Sequence, residues 1–381
     1  MTTFQPAMKG IRHHPQKASK RVWSTAMLAA IWLLFQSYNS QAETMVVTNL
    51  APSGPGTLSS ALTNAQNGDI ITFAVTGLIT NVVSGGLSIS ANISIVGPGP
   101  DLLSITGTNG ARGFIVSSGV TVSISGLTFT NCPGVGVVQG LNGGAIFNAG
   151  NLSLSNCRFT GCHGLSGYFT PSSNGSTGGN GGSGGAIYNG GTLKAVNCQF
   201  LNNAAGSGGP GAAGNASTTA NWTVGGNGGS GGSGGAVYDA GTASFLNCTF
   251  GWNGSGNGGA GGVGANGFYS APSGPHSAGP GWVGGNGGDA GNGSAVFSLS
   301  GATFVGCTFF GNTNGAGGAG GAGGAGYMVN NPGAQGGSGG KAGSGSLYCT
   351  GAVQLIACTF VTNTAGKGGT PAAAAPVPII L

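Results

Sequence analysis

Apolar and polar positions along this chain alternate in short runs that change parity. Leu152 and Leu154 alternate with polar neighbours, and Cys157 and Phe159 then resume the alternation one position out of step; Leu193, Ala195, Cys198 and Phe200 do the same. A period of two predicts strands, and the change of parity predicts a bend between them. At the bend, one residue before the cysteine, stand Asn156, Asn197, Asn247 and Gly306, residue types that tolerate the left-handed backbone region; Ala357 breaks the rule. A second tight corner is expected at Asn148-Ala149-Gly150, Asn189-Gly190-Gly191 and Asp239-Ala240-Gly241.

This unit recurs five times, starting at Ala145, Ala186, Ala236, Ala295 and Ser346. In every copy the cysteine falls twelve residues after the first small residue and a phenylalanine two later, giving Cys157, Cys198, Cys248, Cys307 and Cys358 with Phe159, Phe200, Phe250, Phe309 and Phe360. The connections between copies run 23, 32, 41 and 33 residues and are mostly glycine. A fixed unit with elastic connections predicts a solenoid in which each repeat is one turn. Two short strands, two sharp corners and no helical spacing make that turn a coil of a parallel β-helix, about eight coils in all.

Residues 1–42 stand apart from the repeats. Lys9, Arg12, Lys17, Lys20 and Arg21 precede an apolar run over 26–35 and a small-residue site ending at Ala42, the layout of a secretory signal peptide cleaved after Ala42. The apolar run is short of the ~20 residues that span a bilayer. We therefore expect an exported chain, extracellular or at the outer-membrane surface, with no integral membrane segment once the peptide is removed. After Thr44, Thr57 is a plausible N-cap and Leu58, Ala61, Leu62 and Ala65 recur at helical spacing. A short helix there would cover the open end that a parallel solenoid leaves.

The entry residues Gly54, Pro55, Gly56, Thr57, Leu58, Ala61, Asn64, Asp69, Ile71 and Phe73 resemble the N-terminal cap of secreted bacterial right-handed parallel β-helix proteins. Gly-Gly-Ala-Ile or Gly-Gly-Ala-Val at 143–146, 184–187 and 234–237, with Phe-x-x-Asn at 200–203, 250–253, 309–312 and 360–363, resembles the repeats of the polymorphic outer membrane protein family. The resemblance implies an all-β right-handed parallel β-helix: a cap and first coils over 43–130, coils with glycine-rich insertions on one side over 131–365, and a Pro/Ala-rich tail over 366–381. It also implies an autotransporter with a membrane barrel, but a barrel needs at least eight strands of about ten residues. The roughly eighteen residues after Asn363 hold none, so a fragment, a released chain or one held by a partner is expected.

The 86 glycines lie mainly in tracts such as 225–236 and 315–327. Composition predicts flexible or weakly ordered loops, because glycine loses most backbone entropy on folding. The sharper alternative is that Gly-Gly-X tracts of neighbouring coils pack as polyproline-II-like segments. Tyr168, Phe169, Trp222, Phe268, Tyr269, Trp282 and Tyr327 recur near the loop centres. They pin each loop to its coil or, alternatively, present a row of contacts for a sugar or protein. The repeat cysteines are expected to stack as buried free thiols, since coils sit ~4.8 Å apart and bonded cysteines hold their β-carbons at ~3.8 Å. Cys132 and Cys162, which replace the terminal Asn of Phe-x-x-Asn, are the pair placed to bond. His163 beside Cys162 does not complete a four-ligand site, so no metal or cofactor is expected.

The net charge of +5 resides in the leader; the remainder sets Arg112, Arg158, Lys194, Lys341 and Lys367 against Glu43, Asp69, Asp101, Asp239 and Asp289. A neutral mature chain gives no footprint for nucleic acid. Five acids spread over the sequence, no two of them close, lead to the expectation that the chain is not an enzyme, since lyase and hydrolase sites need grouped carboxylates. The expected function is then a non-catalytic structural or adhesin-like rod, whose partner is a cell-surface glycan or protein. The alternative is a carbohydrate-binding or polysaccharide-degrading, pectate-lyase-like β-helix. A regular Thr rank for a sugar or ice surface is begun by Thr192 and Thr242 but broken by Asn151, Gly301 and Ala352.

Overall fold

The computed structural model describes Thr2 and residues 42–375, apart from 109, 135–141, 169–174, 216–222, 268–279 and 327–332. The signal-peptide assignment and five of the loop aromatics, Phe169, Trp222, Phe268, Tyr269 and Tyr327, lie outside the described residues.

Each coil contributes three strands, one more than the alternation predicts. In one coil these are Ile146–Asn148, Asn151–Ser155 and Arg158–Thr160. The additional strand has three residues, too few to display a period. Equivalent strands pair in parallel with those of the coils before and after, giving sheets of nine, eight and seven strands. The chain is a right-handed parallel β-helix of triangular section. Its N-terminal end carries the helix Leu58–Asn64, capped by the Thr57 hydroxyl accepting from Ser60 N at 3.2 Å, with Leu58 and Leu62 buried against the first coils.

Three corners close the triangle, each with its own chemistry. The bend before the cysteine is left-handed at Asn156, Asn197, Asn247, Gly306 and also Ala357, with φ of 50°, 52°, 50°, 62° and 52°. The second is left-handed at Asn131, Gly161, Asn202, Trp252, Gly311 and Thr362. At the third, buried side chains chain together: Asn148 Nδ2 donates to Asn189 Oδ1 and Asn189 Nδ2 to Asp239 Oδ1, both at 2.6 Å, and Ser298 Oγ donates to Asp239 Oδ2 at 2.8 Å. Asp239 is thus a rung of an amide column. Burial raises its pKa, partly offset by the hydrogen bonds from Asn189, Ser298 and Gly241.

The core is a set of columns. Phe129, Phe159, Phe200, Phe250, Phe309 and Phe360 stack face to face with centroids 4.6–5.0 Å apart. Beside them Cys157, Cys198, Cys248 and Cys307 are buried free thiols, and Cys358 is half-buried. Cys248 Sγ donates to Ala195 O at 3.5 Å. A further column, buried at Asn203, Asn253 and Asn312 and half-buried at Asn363, links amide to amide at 2.8–3.0 Å. In the last described coil Phe360 is 45% exposed where Phe309 is fully covered. Cys132 and Cys162, placed to bond by the sequence, are free buried thiols instead. They occupy one column on successive coils, where the strand spacing holds side chains apart.

The glycine tracts depart most from the compositional expectation, because they are ordered. Each loop runs out from the coil and returns, and both limbs bond with a three-residue period. Gly206, Gly209 and Ala212 donate to Gly182 O, Gly179 O and Ser176 O, and Gly226, Gly229 and Gly232 donate in turn to Ala212 O, Gly209 O and Gly206 O. A second set links like limbs of adjacent coils, such as Gly208 N to Asn257 O and Gly228 N to Asn286 O. A three-residue bonding period, no bonds within a limb among the described residues, and left-handed φ confined to limb ends such as Gly175, Gly184, Gly234 and Gly293 make them polyproline-II helices packed in two layers. Glycine is required where limbs touch: a Cβ on Gly259 would lie 2.5 Å from the carbonyl carbon of Gly209. Every third residue points outward. On the return layer most of these are polar, for example Asn180, Ser230, Asp289 and Lys341, with Val224 and Val283 as exceptions; on the outgoing layer Ala260, Val263, Ala319 and Ala322 face solvent.

Candidate functional site

The outer face of the eight-stranded sheet holds a polar row absent from the sequence reading. Register aligns Ser104, Thr128, Arg158, Gln199, Thr249, Thr308 and Thr359, one per coil at about 4.8 Å spacing. The signal was available, since each of the last five directly follows a repeat cysteine. Thr128 is buried because its hydroxyl donates to Pro100 O, which brings Asp101 over the row. Arg158 donates through Nη1 to Asp101 Oδ1 at 2.8 Å and through Nε to Gln199 Oε1 at 3.0 Å. Pro100, Asn156, Cys157, Arg158, Asn197 and Gln199 line a shallow depression of about 310 Å³ there.

Two coils on from Arg158, Trp252 occupies the corner at the other end of the strand Thr249–Gly251, with Phe250 and Gly251 between it and the row's Thr249. It directly precedes the buried Asn253 and is 57% exposed, with its ring 4.5 Å from Phe310 in an edge-on contact. Its φ is 53°, at a corner where the other coils place Asn131, Gly161, Asn202, Gly311 and Thr362. For a bulky residue that conformation is strained. Asn253, the next residue, anchors the strain: its Nδ2 donates to Phe200 O at 2.9 Å and to Asn312 Oδ1 at 3.0 Å, holding the corner shut. Strained residues that persist cluster at functional sites.

The ladder residues do not reach this surface, with three exceptions. Asn156, Cys157 and Asn197 line the depression from its corner. The phenylalanine column points inward beneath the sheet, and Asn247 and Gly306 shape the bend without facing the row's exposed side chains. The Thr192 and Thr242 rank lies on the nine-stranded sheet and is flanked in register by Asn151. A second outer column, Phe147, Tyr188, Tyr238, Phe297 and Tyr348, stacks on the seven-stranded sheet with centroids 5.1–5.3 Å apart. Stacking hides its ring faces.

No protein-family model matches the chain, and no curated protein matches it. Solved structures do. The alginate lyase AlyGC of the PL6 family is 10% identical over 84% of this chain, with a TM-score of 0.32. The pectin methylesterase PemA from Erwinia chrysanthemi is 11% identical over 74% of this chain and 81% of its own, with a TM-score of 0.33. The pectate lyase Pel9A is 14% identical over 73% of this chain and 66% of its own, with a TM-score of 0.28. This chain spans 40% of the length of the alginate lyase.

These three are named as two lyases and a methylesterase, and the expectation that the chain is not an enzyme is withdrawn. The physical error in that expectation is visible at Arg158. Acids were weighed by their closeness in sequence, whereas coiling brings Asp101 and Arg158, 57 residues apart, to 2.8 Å. Sequence separation does not measure distance in a solenoid. Among the described residues, no three His, Cys, Asp or Glu side chains group as a metal site, and no helix is long and apolar enough to cross a membrane.

Proposed function

We propose that this chain is an exported polysaccharide-binding β-helix whose sugar chain lies along the polar row, over Arg158, Gln199, Thr249 and Thr308, with Trp252 as its stacking platform. The observation that carries the reading is Trp252, a large aromatic held half-exposed in a left-handed corner where Asn or Gly would fit without strain. The apolar face of a pyranose ring gains dispersion from an aromatic surface. Its hydroxyls find alternating donors and acceptors in the row, one rung per coil. Arg158, held through Nη1 by Asp101 and through Nε by Gln199, leaves Nη2 without an acceptor among the described residues, and that donor favours polymers bearing carboxylates. The basic and apolar layout of residues 1–42 supports export, and the enzymes of similar fold support a glycan as partner by analogy of fold.

The test is retardation in native gels cast with polygalacturonate, alginate or a neutral glucan. Wild type is expected to be slowed by the acidic polymers, and Trp252→Asn to run freely while remaining folded, because Asn accepts the corner. Arg158→Gln is expected to weaken retention by the acidic polymers about tenfold, the loss of one charge-assisted contact. Reading unsaturated and reducing-end products in the same samples reports cleavage. No retardation of wild type, or full retardation of Trp252→Asn, would overturn the proposal.

A further inference from the structure

Arg112 precedes the strand Phe114–Val116 on the seven-stranded sheet, a different face from the polar row. It is 8% exposed. Its backbone carbonyl accepts from Asn81 Nδ2 at 2.7 Å, and Gly86 leaves room for its stem, since a Cβ there would lie 2.6 Å from Arg112 Cγ. The guanidinium lies over the Phe147 ring, 5.4 Å from its centroid, at the head of the outer aromatic column.

Among the described residues this side chain has no acceptor. It has five N–H donors, yet it donates to no group among the described residues, and their one salt bridge belongs to Arg158 and Asp101. Glu43, Asp69, Asp101, Asp239 and Asp289 are the acids of the mature chain, and none pairs with it. Desolvation lowers its pKa. The ring beneath compensates only in part, because cation–π attraction is weaker than the desolvation penalty of an ion. Nor is the group sealed. Ser294 Oγ and Asn314 Oδ1 are the unpartnered polar atoms fully closed from solvent among the described residues, so the Arg112 nitrogens retain access.

We propose that Arg112 is an anion site, in which the planar fork takes a two-oxygen face of a carboxylate or sulfate group while Phe147 holds the guanidinium from below. A buried, ring-supported guanidinium is pre-organised for such a face. The site is independent of the polar row, so either can fail without the other.

The experiment is thermal unfolding of the full chain in graded sodium sulfate and sodium acetate, against sodium chloride at matched ionic strength. A bound anion raises Tm along a saturating curve, whereas the general effect of sulfate rises without saturating. Wild type is expected to show the saturating part, with the better of the two oxyanions identifying the geometry. Arg112→Met is expected to lose it and, without oxyanion, to be at least as stable as wild type, since an isosteric apolar side chain ends the desolvation penalty. Superimposable curves for wild type and Arg112→Met would overturn the proposal. Should that variant fail to fold, the Nε–H resonance of Arg112, one of two arginines in the mature chain, is followed by NMR in wild type. A saturable shift with sulfate or acetate supports the site, and its absence under both overturns it.

Discussion

Replacing Gly259 with alanine distinguishes packed glycine helices from a flexible tract by the size of its effect. Gly259 N donates to Gly229 O at 2.8 Å, and its carbonyl accepts from Gly288 N at 2.8 Å. The added Cβ would lie 2.5 Å from the Gly209 carbonyl carbon, where ordinary contact begins at 3.4 Å. The neighbouring limb must retreat by about 1 Å, and what it meets is backbone with no rotamer to yield. Two hydrogen bonds weakened at about 1 kcal/mol each and overpacking of about 1–3 kcal/mol oppose an unfolded-state gain of about 0.4–1 kcal/mol. The net expectation is a loss of about 2–4 kcal/mol. In a flexible tract the entropy change is shared by folded and unfolded states and cancels, and the same change would leave stability within about 0.5 kcal/mol of wild type. Urea unfolding followed by circular dichroism, with hydrogen exchange of the limb amides, reads both. Ala260→Ser, at an outward position, is the control and should stay within about 0.5 kcal/mol. A Gly259→Ala protein as stable as wild type, with limb amides that exchange freely, would refute the packed array.

Three other changes probe the columns. The folded pKa of Asp239 is raised, so its contribution to stability is fullest below the unfolded value near ~3.9 and declines as pH climbs through the folded value. Asp239→Asn continues the amide column without a charge, and scanning calorimetry should find its Tm above wild type at pH 7 and equal to it near the acid end; a lower Tm at pH 7 contradicts the argument. Asn253→Ala strips partners from Phe200 O, Asn203 N and Asn312 Oδ1, and is expected to cost about 3–5 kcal/mol in urea midpoint analysis. The Cys198 thiol lowers and the Cys307 thiol and burial raise the pKa of Cys248, which ends pushed up to about 12. Half-buried Cys349 and Cys358 should therefore react first with a thiol reagent in the native chain. Peptide mapping that finds Cys248 labelled as fast as Cys358 would refute the buried ladder.

The candidate site was legible in pieces. Arg158, Gln199, Thr249, Thr308 and Thr359 share the position after the repeat cysteine, yet a polar residue on an outer strand face is the default of any half-buried sheet. Trp252 differs from its equivalents by one letter in Phe-x-x-Asn, and only the observed φ of 53° marks it as strained. Arg112 carried no signal, because the lack of a counter-ion among the described residues cannot be read from a string.

The sequence alone determined the solenoid. Its period of two, its parity shift and the constant spacing of Cys157, Cys198, Cys248, Cys307 and Cys358 fix the coil, since a one-residue slip would turn every apolar side chain outward. The tertiary structure decided what lies between and across coils. Glycine tracts have no side chains to show a period, so their order depends on neighbouring limbs meeting at the right height to bond. The pairing of Asp101 with Arg158, the placement of Arg112 over Phe147 and the number of strands per coil likewise follow from stacking, which places residues by coil and position rather than by distance along the chain.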